Sequence, residues 1–265
     1  MTRRARFREL HADGLFVMPN PWDAGSARLL AACGFEALAT TSAGFAWSLG
    51  RHDQTVSRDE LVAHVRDLAA ATELPLNVDS ERCYPDDAGG VAETVALLAD
   101  AGAAGFSIED YDPATGRVDA VELAAERVAE AADATRALPE PMLLTGRAEN
   151  HIRGVDDLDD TIARLLAYRD AGADAVYAPG LTDLEQIAAV GAAVEIPLNV
   201  LVLPGGPTVA ELASVGVRRV SLGSLLAGAA YGALVEAADA LRAEGIAPAS
   251  SGHVPTKTLR AAFDV

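Results

Sequence analysis

Short apolar runs alternate with longer amphipathic segments along most of this chain. The apolar runs predict eight β-strands, near residues 15–18, 36–41, 75–79, 104–108, 142–146, 174–178, 197–202 and 218–222. The amphipathic segments predict helices at residues 24–32, 57–72, 89–101, 119–137, 157–171, 183–193, 208–215 and 224–243. Because the strands are continuously apolar, helices are expected to cover both faces of a parallel sheet.

Four junctions between a predicted helix and the following strand contain a glycine. These glycines are Gly34, Gly102, Gly172 and Gly216, each at the place where a left-handed C-cap would end a helix. Eight strand–helix repeats in roughly 250 residues have the size of a (β/α)8 TIM barrel. The alternative is a doubly wound open sheet, but no G-x-G-x-x-G motif follows the first strand.

We therefore predict an α/β protein with a single (β/α)8 barrel domain over residues 1–265. Within this domain, residues 247–265 are expected to form a C-terminal extension that turns and adds a short closing helix. The basic opening, Arg3-Arg4-Ala5-Arg6, is expected to be a frayed or docked N-terminus.

The chain is acidic, since 39 Asp and Glu residues against 21 Lys and Arg give a formal net charge of −18. Lys and Arg do not cluster beyond the basic opening, so no nucleic-acid partner is expected. No apolar run after that opening is long enough for a signal peptide or a membrane span, so no membrane partner is expected either. Cys33 and Cys83 are then expected to be reduced thiols of a cytoplasmic protein.

Acidic residues follow two neighbouring strands at the end where barrel enzymes have their active sites. Asp79 and Glu81 end the third predicted strand, and Glu109 and Asp110 end the fourth. Alternation in an extended chain would put Asp79 and Glu81 on the same side. Carboxylates held close together repel each other unless a cation or a proton lies between them, and Mg²⁺ takes such oxygen ligands. Because Arg147 ends the next strand, the pattern predicts a metal together with an anionic substrate.

Two structural interpretations compete with this prediction. Asp79 or Glu109 would cap the helix that follows its strand, as short acidic side chains often do. Arg147 would form a structural ion pair with Glu149 or Glu109, as also occurs at barrel ends.

Five short motifs lie in order along the chain between about residue 15 and residue 245. They are Thr41-Ser42-Ala43-Gly44, Gly50-x-x-Asp53, Val78-Asp79-x-Glu81, Ser107-Ile108-Glu109-Asp110 and Thr145-x-Arg147. This ordered set resembles the isocitrate lyase/phosphoenolpyruvate mutase superfamily. The resemblance implies a barrel whose eighth helix is exchanged between the subunits of a homo-oligomer, a dimer or a tetramer. It also implies chemistry through an Mg²⁺-stabilised enolate of a 2-oxo acid.

The resemblance further implies roles for the acidic residues and the arginine. Asp79 would bind Mg²⁺, or Mn²⁺ in its place, and Glu81 and Glu109 would hold the ion directly or through water. Arg147 would neutralise the oxyanion that develops in the reaction, and Asp53 would lie close to the substrate and to the waters of the metal. Asp53, Glu109 and Arg147 are therefore the expected catalytic residues.

A second group of residues would bind the substrate, a small carboxylic acid. By the same resemblance, Ser42, Ala43 and Gly44 would bind its carboxylate through backbone N–H groups and the serine hydroxyl. Arg147 would contact the substrate as well, and Asn199 on the seventh strand would lie nearby.

The chain departs from the superfamily's pattern in two segments. Glu81 replaces the second aspartate of Asp-x-Asp-x-Gly-Tyr-Gly, and Cys83 and Pro85 replace its glycines. Residues 111–117 lack the Cys, Lys and His of the lyases' gating loop, so isocitrate or methylisocitrate lyase activity is not expected. The same segment also lacks the Lys and Asn of the phosphonopyruvate-forming mutases.

Three functions remain open from the sequence. The first is an Mg²⁺-dependent enzyme that cleaves or forms a C–C bond in a small 2-oxo or 2-hydroxy acid, as a lyase or as an oxaloacetate-like decarboxylase or hydrolase. The second is a phosphonopyruvate-type P–C mutase or hydrolase, for which Arg117 is the only cation in the loop. The third is a non-catalytic protein that binds a 2-oxo acid in a metal-dependent way.

Overall fold

The computed structural model describes residues 1–245 and 253–264. Its strands are β1 (Phe16–Met18), β2 (Leu38–Ala39), β3 (Leu76–Asp79), β4 (Gly105–Glu109), β5 (Tyr111–Asp112), β6 (Arg117–Val118), β7 (Leu143–Arg147), β8 (Ala175–Tyr177), β9 (Leu198–Leu201) and β10 (Arg219–Ser221). Eight of these strands form one parallel sheet, in the order β1-β10-β9-β8-β7-β4-β3-β2. The backbone N–H of Ala39 donates to the carbonyl of Pro19 at 3.1 Å and brings the two outer strands together. The nearly closed sheet confirms the predicted (β/α)8 TIM barrel.

The helices are α1 (Arg3–Leu10), α2 (Ala24–Ala32), α3 (Ser42–Ser48), α4 (Arg58–Ala71), α5 (Gly90–Ala101), α6 (Val121–Arg136), α7 (Leu158–Asp170), α8 (Leu184–Val194), α9 (Val209–Ser214), α10 (Leu225–Glu244) and α11 (Thr256–Phe263). The eight predicted helices correspond to α2 and α4–α10, and α11 is the predicted closing helix. The sequence pattern missed α1 and α3. The turn predicted before α11 lies outside the described residues. Within the described ranges, no helix combines the length and the apolar character needed to cross a membrane.

Local sequence signals explain where several of these helices begin and end. Ser57 and Glu60 form a capping box at the start of α4, in which each side chain accepts a hydrogen bond from the other residue's backbone N–H. The four glycines predicted at helix ends all have left-handed backbone conformations, with φ between 83° and 107°. A side chain would be strained in that conformation, so these glycines stop the helices and turn the chain toward the next strand.

Helix α1 closes the amino end of the barrel. Phe7 and Leu10 on this helix join Phe16 and Leu143, from the starts of β1 and β7, in an apolar cluster. The Arg4 guanidinium anchors the helix by donating to the carbonyl oxygens of Glu140, Ala99 and Ala103 at 2.7, 2.8 and 3.1 Å. The basic opening of the chain is therefore docked, and it seals the barrel interior at this end.

Candidate active site

A cavity of about 160 Å³ reaches from the carboxyl ends of the strands into the barrel interior. It lies where the sequence analysis expects the site. Six of the predicted site residues line it: Ser42, Ala43, Asp53, Asp79, Arg147 and Asn199. Gly44, Glu81 and Glu109 are not among the residues that line it.

Asp79 is the last residue of β3 and points into this cavity. Its side chain is 16% exposed. The backbone N–H of Ser42 donates to Oδ2 at 3.3 Å, and Nη1 of Arg147 donates to Oδ1 at 3.3 Å. The hydroxyl of Thr40 accepts from the backbone N–H of Asp79 at 2.8 Å and fixes the end of the strand. Asp79 is thus held on one side while the cavity remains open on the other.

Arg147, the last residue of β7, lies among three carboxylates. Its Nε donates to Glu149 at 2.6 Å, and its Nη1 lies 3.3 Å from Asp79 and 3.2 Å from Glu109. The ring of Tyr177 lies against the guanidinium, 5.2 Å from ring centroid to Cζ. Burial alone would lower the pKa of Arg147, but the charges of Glu149, Glu109 and Asp79 raise it well above its ordinary value. Arg147 is therefore a permanent cation, and the predicted structural ion pairs coexist with its place in the cavity wall.

Glu109 is buried at the end of β4, behind Arg147. Its Oε1 accepts from Nε2 of Gln54 at 2.9 Å. Its Oε2 is buried without a hydrogen-bond partner among the described residues, although Nη1 of Arg147 lies 3.2 Å away. Burial raises the pKa of this carboxyl group well above its ordinary value, which the charge of Arg147 opposes. This oxygen therefore has the Arg147 guanidinium as its charged neighbour and lacks a hydrogen bond among the described residues.

Glu81 lies near Asp79 but does not line the same cavity. The strand ends at Asp79, and Glu81 has a left-handed backbone with φ of 51°. The alternation predicted through both residues was therefore wrong, because it requires an extended chain. Glu81 lines a second cavity of about 210 Å³, shared with Arg82, Tyr84 and Asp112. Burial raises the pKa of Glu81 to about 8, with a further contribution from the charge of Asp79.

Asp110 also departs from the expected group of acids at the barrel rim. It is fully buried and accepts hydrogen bonds from the Tyr168 hydroxyl at 2.5 Å and from Nη1 of Arg164 at 3.1 Å. It also accepts from the backbone N–H of Glu149 at 2.8 Å. Asp110 thus positions the backbone beside Arg147 from behind the site.

The predicted carboxylate-binding segment forms the first turn of α3. Thr41 caps this helix by accepting from the backbone N–H of Gly44 at 3.2 Å. A Cβ on Gly44 would lie 2.6 Å from Cγ2 of Thr41, so this glycine serves close packing. Because the N–H groups of Ser42 and Gly44 have partners in the protein, Ser42 and Ala43 offer the cavity only the serine hydroxyl and the remaining backbone groups.

The last two predicted residues lie at opposite ends of the cavity. Asp53 is at its mouth, where burial and the charge of Asp79 raise the pKa of Asp53. Asn199 lies deep in the barrel on β9. Its Nδ2 donates to Oγ of Ser221 at 2.9 Å, and its Oδ1 accepts from Nε of Arg219 at 3.1 Å.

With this geometry in place, comparison with known proteins identifies the chain's relatives. Residues 7–242 match the family model described as phosphoenolpyruvate phosphomutase. The chain belongs to the isocitrate lyase/phosphoenolpyruvate mutase superfamily. The resemblance read from the five sequence motifs is therefore confirmed, and the protein belongs to a superfamily of lyases and mutases.

Several relatives of this superfamily member cover nearly all of its length. A candidate lyase/mutase from Burkholderia cenocepacia J2315 has a TM-score of 0.94 and 50% identity, over 99% of this chain and 96% of that one. An uncharacterized protein of Mycobacterium tuberculosis is 36% identical over 238 residues, which cover 89% of this chain and 88% of its relative. An oxaloacetate decarboxylase of Bradyrhizobium sp. strain BTAi1 is 32% identical over 249 residues, which cover 91% and 84% of the two chains.

The donor groups of this superfamily member fit a hard divalent cation with few protein ligands. Within the described ranges, no three His, Cys, Asp or Glu side chains gather into a metal-holding group. Mg²⁺, however, is usually held by one or two carboxylates, with water and substrate completing its shell. Asp79 faces the cavity, and Oε2 of Glu109 is buried without a hydrogen-bond partner among the described residues. Asp79 in the cavity wall and Glu109 behind Arg147 are the two acids that would supply donors to such an ion.

Sequence reasoning missed two residues of this site. Gln54, which holds Glu109, follows the motif aspartate directly and has no distinguishing pattern of its own. Arg219 lines the cavity from β10 and is only 1% exposed. Its signal was the arginine pair Arg218-Arg219 at the start of a predicted buried strand, since a charged side chain is rarely buried without a partner.

Proposed function

We propose that this superfamily member is an Mg²⁺-dependent enzyme that acts through the enolate of a small 2-oxo acid and breaks or forms a C–C bond. One observation carries the proposal. Arg147 lines the cavity at the carboxyl ends of the strands, and Asp79, Glu109 and Glu149 hold it there as a fixed cation. Such a preorganised charge stabilises an oxyanion without reorganising during the reaction.

The other residues have supporting roles in this proposal. Asp79 and Glu109 would hold Mg²⁺, which supplies a Lewis acid for the 2-oxo oxygen when bound. Ser42 and Ala43 would bind the substrate carboxylate at the cavity wall. The ring of Tyr177 packs against the Arg147 guanidinium, with its centroid 5.2 Å from Cζ.

Decarboxylation of an oxaloacetate-like acid is the reaction that these residues support best. The bond between C3 and its carboxylate breaks, CO₂ leaves, and the electron pair moves onto the 2-oxo oxygen as an enolate. A proton from solvent then completes C3. Release of CO₂ requires no general base, whereas cleavage of a 2-hydroxy acid requires a base that takes the hydroxyl proton. The Bradyrhizobium relative is named for oxaloacetate decarboxylation.

The segment at residues 111–117 supports this choice. It forms a hairpin of β5 and β6 in which Asp112 accepts from Nη1 of Arg82 at 3.1 Å. The guanidinium of Arg153 lies 3.4 Å from the ring centroid of Tyr111. Tyr111, Asp112 and the exposed Arg117 are not among the residues that line the cavity. The segment therefore offers no acid or base for an aldol-type cleavage, and no cation for a phosphoryl group.

Proton NMR in D₂O with Mg²⁺ tests the proposal on oxaloacetate and a panel of other 2-oxo and 2-hydroxy acids. We expect one acid to be consumed, or to exchange its C3 protons for deuterium, faster than in Mg²⁺ buffer alone. Asp79→Ala should lower this rate by about 100-fold or more, because it removes both a metal ligand and a partner of Arg147. The matched control is Asp86→Ala, a 92% exposed acid in the next loop, which should keep the full rate.

Two other outcomes of this experiment would contradict the proposal. Metal-dependent binding without exchange or turnover would support the non-catalytic 2-oxo acid binding protein. An unchanged rate in Asp79→Ala would contradict the assigned metal and substrate site.

A further inference from the structure

A second arginine lines the same cavity, and no acid of the described residues forms an ion pair with it. Arg219 is the first residue of β10, where its register neighbours are Asn199 on β9 and Phe16 on β1. The side chain is 1% exposed, and it is the largest of the fully buried side chains in the described part of the protein. No carboxylate of the described residues lies within ion-pair distance of it.

Neutral groups bind part of the Arg219 guanidinium. Nε donates to Oδ1 of Asn199 at 3.1 Å, and Nη1 lies 3.2 Å from Nε2 of His11. Nδ1 of His11 lies 2.7 Å from the carbonyl oxygen of Phe7, so Nδ1 carries the proton and Nε2 accepts from the arginine. Burial, together with the charge of Arg219, lowers the pKa of His11 to about 3, so this histidine is neutral. The remaining nitrogen, Nη2, makes no hydrogen bond with the described residues.

This environment differs from that of Arg147 in its charge. Arg147 faces three carboxylates, whereas Arg219 faces an amide and a neutral imidazole. Burying a cation without a counter-charge opposes folding, because the guanidinium loses its hydration and gains no ion pair. Since Arg219 lines the cavity, a ligand that enters the cavity can supply the missing negative charge.

We propose that Arg219 and Asn199 form an anion subsite at the floor of the cavity, which binds a second carboxylate of the substrate. The inference rests on the proposed function, whose oxaloacetate-like substrate has two carboxylates, and it assigns Arg219 as the residue that selects for the second one. One end of the acid lies at Arg147 and Asp79, and the other lies at Arg219. An acid with a single carboxylate would leave the Arg219 guanidinium without a negatively charged partner.

Isothermal titration calorimetry with two matched acids tests this subsite. (S)-Malate and (S)-2-hydroxybutyrate are both four-carbon 2-hydroxy acids, and they differ only in a carboxylate or a methyl group at C4. In the presence of Mg²⁺ we expect the wild-type protein to bind malate about 10- to 100-fold more tightly, the effect of one charged hydrogen-bonded contact. Arg219→Gln should remove this preference and leave the affinity for 2-hydroxybutyrate unchanged.

Arg218→Gln is the matched control, because Arg218 is the neighbouring arginine on the chain and its side chain is 39% exposed. It should keep the malate preference. Asn199→Asp is a second test, since it places a carboxylate next to Nε of Arg219. This variant should melt at a higher temperature than the wild type and should lose the preference for malate.

Three results would overturn the proposal. The first is that the wild type binds the two acids with equal affinity. The second is that Arg219→Gln weakens the binding of malate and of 2-hydroxybutyrate by the same factor. The third is that Asn199→Asp still prefers malate. The first and third apply even when Arg219→Gln does not fold. Neither acid can lose CO₂ as a 3-carboxy-2-oxo acid does, so their binding is measured independently of turnover. A protein that prefers malate but decarboxylates nothing would contradict the proposed function and support the subsite.

Discussion

Individual carboxylates of this protein have different chemical states, although the sequence presents them as similar acids after neighbouring strands. Asp79 faces the cavity and contacts Arg147, whereas Asp110 is buried against Tyr168 and Arg164. Glu81 lines the second cavity together with Arg82 and Asp112, and burial with the charge of Asp79 raises its pKa to about 8. These differences depend on partners that lie far away along the chain.

The raised pKa of Glu81 predicts a pH-dependent stability. In the unfolded chain a glutamate ionises near pH 4.3. Between that pH and about 8 the folded protein keeps a proton that the unfolded chain has lost. The stability from this group is therefore complete below about pH 4 and is lost as the pH rises through 8. We expect the metal-free wild type to lose about 2–4 kcal/mol relative to Glu81→Gln between pH 5 and pH 8.5.

Urea denaturation in EDTA at both pH values measures this difference. Asp86→Asn, a change at an exposed acid, should follow the wild type. Parallel pH profiles for the wild type and Glu81→Gln would contradict the burial of a protonated glutamate.

At the scale of elements, the short helices α1 and α3 add contacts to the cavity that the eight strand–helix repeats form. Helix α3 brings Ser42 to the oxygen of Asp79, and α1 closes the floor below Arg219 through His11. Neither helix has a long periodic pattern, since α3 has seven residues and α1 has eight. Their positions come from contacts with the barrel, such as those of Phe7, rather than from their own helix propensity.

The close packing of α1 against the barrel predicts that a substitution at Gly105 lowers the stability of the protein. A Cβ there would lie 2.7 Å from Cε1 of Phe7 and 2.8 Å from the carbonyl oxygen of Leu143. Because one neighbour is backbone and the other is a buried ring, neither can move away freely. We expect Gly105→Ala to lower the free energy of unfolding by about 1–3 kcal/mol.

Chemical denaturation followed by circular dichroism measures that loss. Gly232→Ala on α10 is the matched control, because a Cβ there would meet nothing within 4 Å and alanine favours helix. If Gly105→Ala has the stability of the wild type, Phe7 of α1 does not pack closely against this glycine.

At the scale of the whole molecule, α10 presents unusual apolar surface. This 20-residue helix follows the eighth barrel strand and exposes Leu234, Val235 and Leu241 by 63%, 59% and 53%. Large exposed apolar side chains close together on one helix are typical of a surface that a partner covers. The homo-oligomer with an exchanged eighth helix, implied by the superfamily resemblance, would cover them and remains a prediction.

Light scattering during size-exclusion chromatography tests this prediction. We expect the wild type to elute as a dimer or a tetramer of the 27.4 kDa chain. The double change Leu234→Glu and Val235→Glu should shift it toward the monomer, because buried charges without partners disrupt an interface. Leu123→Glu, at a 47% exposed leucine on α6, should leave the mass unchanged. A monomeric wild type would contradict the exchanged helix.

The sequence by itself determined the alternation of strands and helices, the helix ends at glycines, and the end of the barrel where Asp79 and Arg147 meet. The first two features are local, because periodicity, capping and positive φ depend on neighbouring residues. The third follows from the fold, because all strands of a parallel barrel end at the same rim. Only the tertiary structure decided that Glu81 does not line the cavity and that Asp110 belongs to the supporting wall. It also decided that Arg219 faces the cavity with no acid of the described residues beside it. Burial and charge pairing depend on segments distant along the chain, such as His11 beneath Arg219.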